Sequence, residues 1–180
     1  MRRSWARLLL VAGVLAVATH LATVWALPRL IMWRLARATP ADMERARGVF
    51  LPAMTDHLQR RVVMPSPDLM YALCAFDLGG RPWRVQADPH VPHYWSVALY
   101  ADNSDNFWVA NDSDAGGRPL NVLLVGPGQD PALAQGSAGA TLVRSPSRRG
   151  LLLMRLLVSD PQHELPSIEA ARRSLRCEPA

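Results

Sequence analysis

The chain has 180 residues, enough for one ordinary domain, with a formal net charge of +5 and a pI near 10.2. Residues 1–37 hold six arginines (Arg2, Arg3, Arg7, Arg29, Arg34 and Arg37) and no acid, whereas the remainder holds fourteen arginines against fifteen acids. The basicity therefore belongs to one N-terminal segment and not to a surface that could track phosphates, which argues against DNA or RNA as a partner.

That segment carries an uncharged apolar run, about Leu8 to Leu27, whose twenty residues would span about 30 Å as a helix and cross a bilayer. Trp5, Trp25 and Trp33 lie at or just beyond its ends, where interfacial aromatics settle. The competing reading is a cleaved signal peptide, with Ala16-Val17-Ala18 as a small-x-small site, although the run outlasts an ordinary signal core. Both readings export the rest of the chain. With three arginines on each side the charge rule is nearly balanced, and the short basic head is the better cytoplasmic candidate. Beyond the run, Ile31, Met32 and Leu35 fall opposite Arg34 and Arg37, as in a short interfacial helix. Residues 1–37 are thus read as membrane anchor and juxtamembrane segment, on the inner membrane, with the C-terminal part in the periplasm.

Thr39-Pro40-Ala41-Asp42 offers an N-cap, a proline at the first helical position and an early acid, predicting a helix to about Arg47. Gly48, Pro52, Pro65 and Pro67 punctuate the following stretch, so residues 38–67 read as helix and linker. From Asp68 the hydrophobic period changes to two. Strands are predicted over Leu69–Leu78, around Trp83–Gln86, Tyr94–Tyr100, Asn106–Ala110, Leu120–Val125, Ala140–Arg144 and Gly150–Val158, with Tyr94–Ala110 as a hairpin turning at Asp102–Asp105. A short helical turn is expected near Pro131–Gln135 and a closing helix over Pro166–Arg176. The expected fold is mainly β, an antiparallel β-sandwich or partly open barrel over residues 68–180 with a C-terminal helix, preceded by one transmembrane helix.

Two cysteines, Cys74 and Cys177, occur without C-x-x-C spacing, which removes zinc-ribbon and thioredoxin-like readings. In an oxidising compartment the pair is a disulfide candidate that would staple the chain end to the Cys74 strand, adding up to about 4–5 kcal/mol in the chain-entropy account. The alternative is two unrelated buried thiols.

Among motifs that carry chemistry, Asp88-Pro-His90-Val-Pro-His93 places two imidazoles and a carboxylate in one turn, which could make a three-ligand open metal site of hydrolytic type. Exposed turn histidines are the simpler reading. Asp112-Ser-Asp114-Ala-Gly116-Gly117 resembles the start of a calcium loop, but position 12 falls on Leu123 where a bidentate acid is needed, so a polar turn is expected. There is no G-x-S-x-G elbow, and a phosphate loop would need a lysine that the chain lacks. No cofactor is called for.

One stretch is distinctive: Tyr94-Trp-Ser-Val-Ala-Leu-Tyr100 followed by Asp105-Asn-Phe-Trp-Val-Ala-Asn-Asp112. Together with Leu73-Cys-Ala-Phe-Asp-Leu78, Arg149-Gly-Leu-Leu-Leu and the ending Arg176-Cys177-Glu178, it resembles the bacterial family called domain of unknown function 1254, in particular its short single-span envelope members. The resemblance covers about residues 66–178. It implies a β-sandwich, an envelope location and pairing with a sister module, domain of unknown function 1214, for which this chain has no room. No catalytic residues are implied. Cys74 and Cys177 match the short members' cysteine positions, and Tyr94, Trp95, Asn106, Asn111 and Asp112 match the hairpin motif, with Trp108 a further candidate contact. The expectation is a membrane-anchored, non-catalytic binding or assembly module acting with a sister-domain protein; the alternative is a metal-dependent hydrolase using Asp88, His90 and His93.

Overall fold

The computed structural model describes residues 2–37, 48–55, 65–133 and 139–180. The helix expected over Thr39–Arg47 lies outside these residues. Helix α1 (Arg2–Arg37) is a single continuous element, where the sequence suggested an anchor ending near Leu27 and a separate interfacial helix. Its 36 residues rise about 54 Å, more than the ~30 Å hydrocarbon core, and it is long and apolar enough to cross a membrane.

Pro28 sits inside α1 without ending it. A proline removes one helical donor and crowds the preceding turn. Here the Arg29 Nη1 donates to the Trp25 carbonyl at 2.6 Å, one residue on from the Val24 carbonyl that the proline leaves without its helical donor. The same guanidinium lies 4.4 Å over the Trp25 ring.

The folded part is a sandwich of two four-stranded sheets, formed by β1 (Leu69–Asp77), β2 (Trp83–Ala87), β3 (Trp95–Ala101), β4 (Asn106–Asn111), β5 (Leu120–Val125), β6 (Thr141–Arg144), β7 (Arg149–Leu157) and β8 (Arg176–Pro179). The front sheet runs β1-β7-β3-β4 and the back sheet β6-β5-β2-β8. Because each sheet keeps its own edges, the barrel alternative does not hold. Nor is the fold wholly antiparallel, since β5 and β6 pair in parallel.

Alternation decides which side chains meet between the sheets. Met70, Ala72, Cys74 and Phe76 of β1, Trp95, Val97 and Leu99 of β3 and Leu152, Met154 and Leu156 of β7 point inward onto Val85, Val122, Leu124 and Cys177 of the back sheet. Leu99, Leu152, Met154, Leu156, Val122 and Leu124 are completely buried, and burial of this size is worth about 1.5–3 kcal/mol per large side chain.

Among the described residues of the domain, two α-helices accompany the sheets: α2 (Asp112–Ala115), in what read as a loop, and α3 (Leu165–Arg173). Helix α3 sends Ile168 and Ala171 into the core, followed by Leu175. It stops three residues short of the expected Arg176, and the chain end becomes strand β8, pairing Val85 with Cys177. Residues 49–52 belong to this domain: Val49 is buried in the core, and Phe50 exchanges backbone hydrogen bonds with Leu73 at 2.7 and 2.9 Å.

The outer side of the front sheet is also apolar, presenting Leu73, Leu151, Leu153 and Leu157. Ala98 (0% exposed) and Leu151 (7%) are buried there outside the central core. The last turns of α1 pack on β7, burying Met32.

Candidate functional site

The β3–β4 hairpin forms as predicted, with the chain reversing at Ala101–Asp105 and a bulge between Leu99 and Tyr100. Its motif residues divide by role. Trp95 is core, 4% exposed, and Trp108, opposite Leu99, packs its inner side against the same core. Asn111 is a helix cap: its Oδ1 accepts from the Asp114 amide at 3.0 Å while the Asp114 carboxylate accepts from the Asn111 amide at 3.2 Å. This reciprocal box starts α2, and Gly116 ends it in the left-handed region at φ 55°, where its amide donates to the Asp112 carbonyl. The Asn-Asp pair thus has a folding role. Tyr94, Asn106 and Val109 remain exposed.

The two edges of the front sheet differ. On β1 the outer backbone edge is occupied: Phe50 bonds Leu73, and the Arg172 Nη1 donates to the Tyr71 carbonyl at 3.1 Å. On β4, among the described residues, no strand pairs with the outer edge. This edge, with Val109 45% exposed, borders an open groove of about 470 Å³ lined by Trp108, Val109, Asp114, Leu120 and Thr141. The groove marks the side of the sandwich where β4 lies over β6, itself an edge strand carrying exposed Leu142. Asn121 lines both this groove and a neighbouring one of about 520 Å³ with Gln86, Asp88 and Arg176, and its buried Oδ1 has no hydrogen-bond partner. Sequence patterning marked the hairpin but could not say which edge is left open.

The turn Asp88–His93 does not assemble the proposed ligand set. His90 Nδ1 lies 3.2 Å from Asp88 Oδ1 in an exposed contact, whereas His93 Nε2 lies 2.6 Å from Glu164 Oε1 at the start of α3. The other Glu164 oxygen accepts the Ser159 and Asp160 amides, both at 2.9 Å, so this carboxylate organises a loop. Those amides, with His93, hold its carboxyl below the usual glutamate range. Among the described residues no group of three or more His, Cys, Asp or Glu could hold a metal ion.

At the opposite side of the sandwich, Cys74 of β1 faces Cys177 of β8. Both are free thiols, buried in the same core cluster. Burial pushes the Cys177 thiol well above its ordinary range, so the thiolate is disfavoured. The expected juxtaposition of chain end and β1 is therefore present, without a covalent bond.

A further charged cluster closes one end of β1. The Asp77 carboxylate accepts from Arg148 Nε and Arg149 Nε, each at 2.8 Å, and from the Gly79 amide at 2.9 Å. Arg148, before Arg149 and Gly79, lowers its carboxyl from 3.8 to about 2. The cluster fixes the β6–β7 turn against the β1–β2 turn.

Comparison with known proteins agrees with this architecture. The VPA0106 protein from Vibrio parahaemolyticus superposes with a TM-score of 0.57 at 12% identity, covering 64% of this chain and 28% of that one. An uncharacterized protein from Burkholderia cenocepacia superposes with a TM-score of 0.50 at 20% identity, covering 82% of this chain and 39% of that one. These likenesses speak for the fold alone, and this chain spans well under half of either solved relative. No curated protein matches it. The family model described as protein of unknown function (DUF1254) matches residues 48–179, from the strap at Val49 through β8, and the chain belongs to that family.

Proposed function

We propose that the protein is a single-pass, membrane-anchored, non-catalytic assembly module whose β-sandwich lies in the periplasm. Its partner is an envelope protein carrying the sister module, domain of unknown function 1214. The observation that carries this reading is the contrast between the two front-sheet edges. The β1 edge is blunted by Phe50 and Arg172, while the β4 edge presents backbone groups beside Val109 and a groove wall of Trp108. Native sheets manage their edges, and an open edge flanked by apolar side chains suits strand addition by a partner, with backbone hydrogen bonds giving affinity and the flanking pocket giving selectivity. Co-purification from detergent tests the idea: the sister-domain protein should accompany the wild-type chain and be lost from Val109→Lys. If it never accompanies the wild type, the partner reading fails.

In the same reading Cys74 and Cys177 form a disulfide in the oxidising periplasm, the two thiols giving up two protons and two electrons to a thiol oxidant of that compartment. Their burial together in the core between β1 and β8 supports this. Mass spectrometry of non-reduced membrane material should find the Cys74 and Cys177 peptides linked; two free thiols would contradict both the bridge and the compartment.

A further inference from the structure

The last turns of α1 face two ways. One side turns Pro28, Arg29, Met32, Leu35 and Ala36 toward the domain, with Met32 8% exposed over the front sheet. The other side leaves Leu30, Trp33, Arg34 and Arg37 exposed, with the Arg37 guanidinium 4.1 Å over the Trp33 ring. A helix that merely tethered a domain would need only a hydrophobic span followed by a flexible link. Here the helix runs unbroken from the span into contact with β7.

Distance along the helix decides what this means. If the hydrocarbon boundary lies near Leu27, Met32 is about 7–8 Å beyond it, and the headgroup layer of a leaflet is itself roughly 5–8 Å thick. A sandwich seated on Met32 then cannot stand clear of the headgroups. We propose that Pro28–Arg37 is a seam between the front sheet and the bilayer, which holds the domain directly on the membrane surface through packing at Met32 and contact of Arg34 and Arg37 with anionic phospholipid headgroups. This rests on α1 being the membrane anchor. The charge is suited to the partner: residues 1–37 contain no acid, and exposed arginines stacked on tryptophan are at home where anionic headgroups meet acyl chains.

The full chain in nanodiscs of phosphatidylcholine with phosphatidylglycerol provides the test. A donor dye is placed on Gly80→Cys, a β1–β2 turn position where an added side chain meets nothing, and the acceptor on lipid headgroups. An eight-residue Gly-Ser insertion directly after Arg37 lengthens the chain between α1 and the domain. The seam predicts unchanged energy transfer for the insertion and reduced transfer for Met32→Glu; a domain that moves away on insertion overturns it. Spin-labelled phosphatidylglycerol should associate about fivefold more than spin-labelled phosphatidylcholine for each arginine engaged, falling toward equality in Arg34→Gln/Arg37→Gln. Equality in the wild type overturns the headgroup contact. If the chain fails to elute with the discs, the anchor reading falls and the seam with it; if it elutes with them but the insertion changes the transfer, only the seam falls.

Discussion

Replacing Arg172 by alanine should be among the most damaging single changes in α3, for reasons visible in its contacts. The side chain is 6% exposed; its Nη1 donates to the carbonyls of Pro52 and Tyr71, and its Nη2 to the Glu169 carboxylate. It therefore joins three pieces of the fold: α3, the strap after Val49, and the outer edge of β1. Charge-assisted hydrogen bonds contribute about 1.5–3 kcal/mol each. Glu169 retains Arg173 at 2.8 Å and some exposure, so that partner is partly compensated, and the loss concentrates on the two carbonyls. A net cost of about 3 kcal/mol follows, allowing for water that enters the vacated space. For a folded part of this size that lowers the melting temperature by roughly 10 °C. Near-UV circular dichroism of the detergent-solubilised chain on heating provides the assay, with Arg172→Lys recovering less than half because one ammonium on a shorter side chain cannot span the two carbonyls and the Glu169 carboxylate as the two guanidinium nitrogens do. A loss below about 1 kcal/mol in Arg172→Ala would refute the idea that this residue holds the strap to the β1 edge.

Asp77 sets an acid-side prediction. Its folded carboxyl is lowered from 3.8 to about 2, so its contribution is complete above the unfolded value and is lost as pH falls from about 4 toward 2. With the side chain 40% exposed, screening keeps this to about 1 kcal/mol or less, and acid titration of Asp77→Asn should lack that part of the decline. Asn111→Ala removes the α2 cap and should cost about 1 kcal/mol, detected as faster hydrogen exchange at the Asp114 amide with the core strands unchanged. Gly150→Ala introduces a Cβ 2.2 Å from the Tyr100 carbonyl oxygen and 2.4 Å from the Phe76 ring, and denaturant unfolding should register a loss of about 2–3 kcal/mol.

Period-two patterning carried the fold a long way, because β1, β3 and β7 have one face packed on the core and the alternation of Met70, Cys74 and Phe76 records it. Other features leave no local mark. Arg176-Cys-Glu-Pro179 has little strand propensity and becomes β8 only by pairing with β2. The direction of the β5–β6 pairing is likewise a tertiary outcome. The apolar run ends near Leu27, whereas the helix continues through Pro28, and the Arg29 donation to Trp25 that accompanies the continuation is not a sequence signal. At the candidate site, the hairpin was legible but the roles of its residues were not: Asn111 is a cap, Trp95 is core, and the open β4 edge follows from strand order. His93 looked like a partner for His90 because both share one turn, yet Glu164, 71 positions along the chain, engages it.

Site-specific photocrosslinking at the β4 edge is the measurement that bears most directly on the assembly reading. With a photoreactive residue at Val109 in the membrane-embedded chain, and one at Gly80 as control, the account predicts an adduct with the sister-domain protein from Val109 alone. Equal adducts from both positions, or none from Val109, would contradict the open edge as the docking surface.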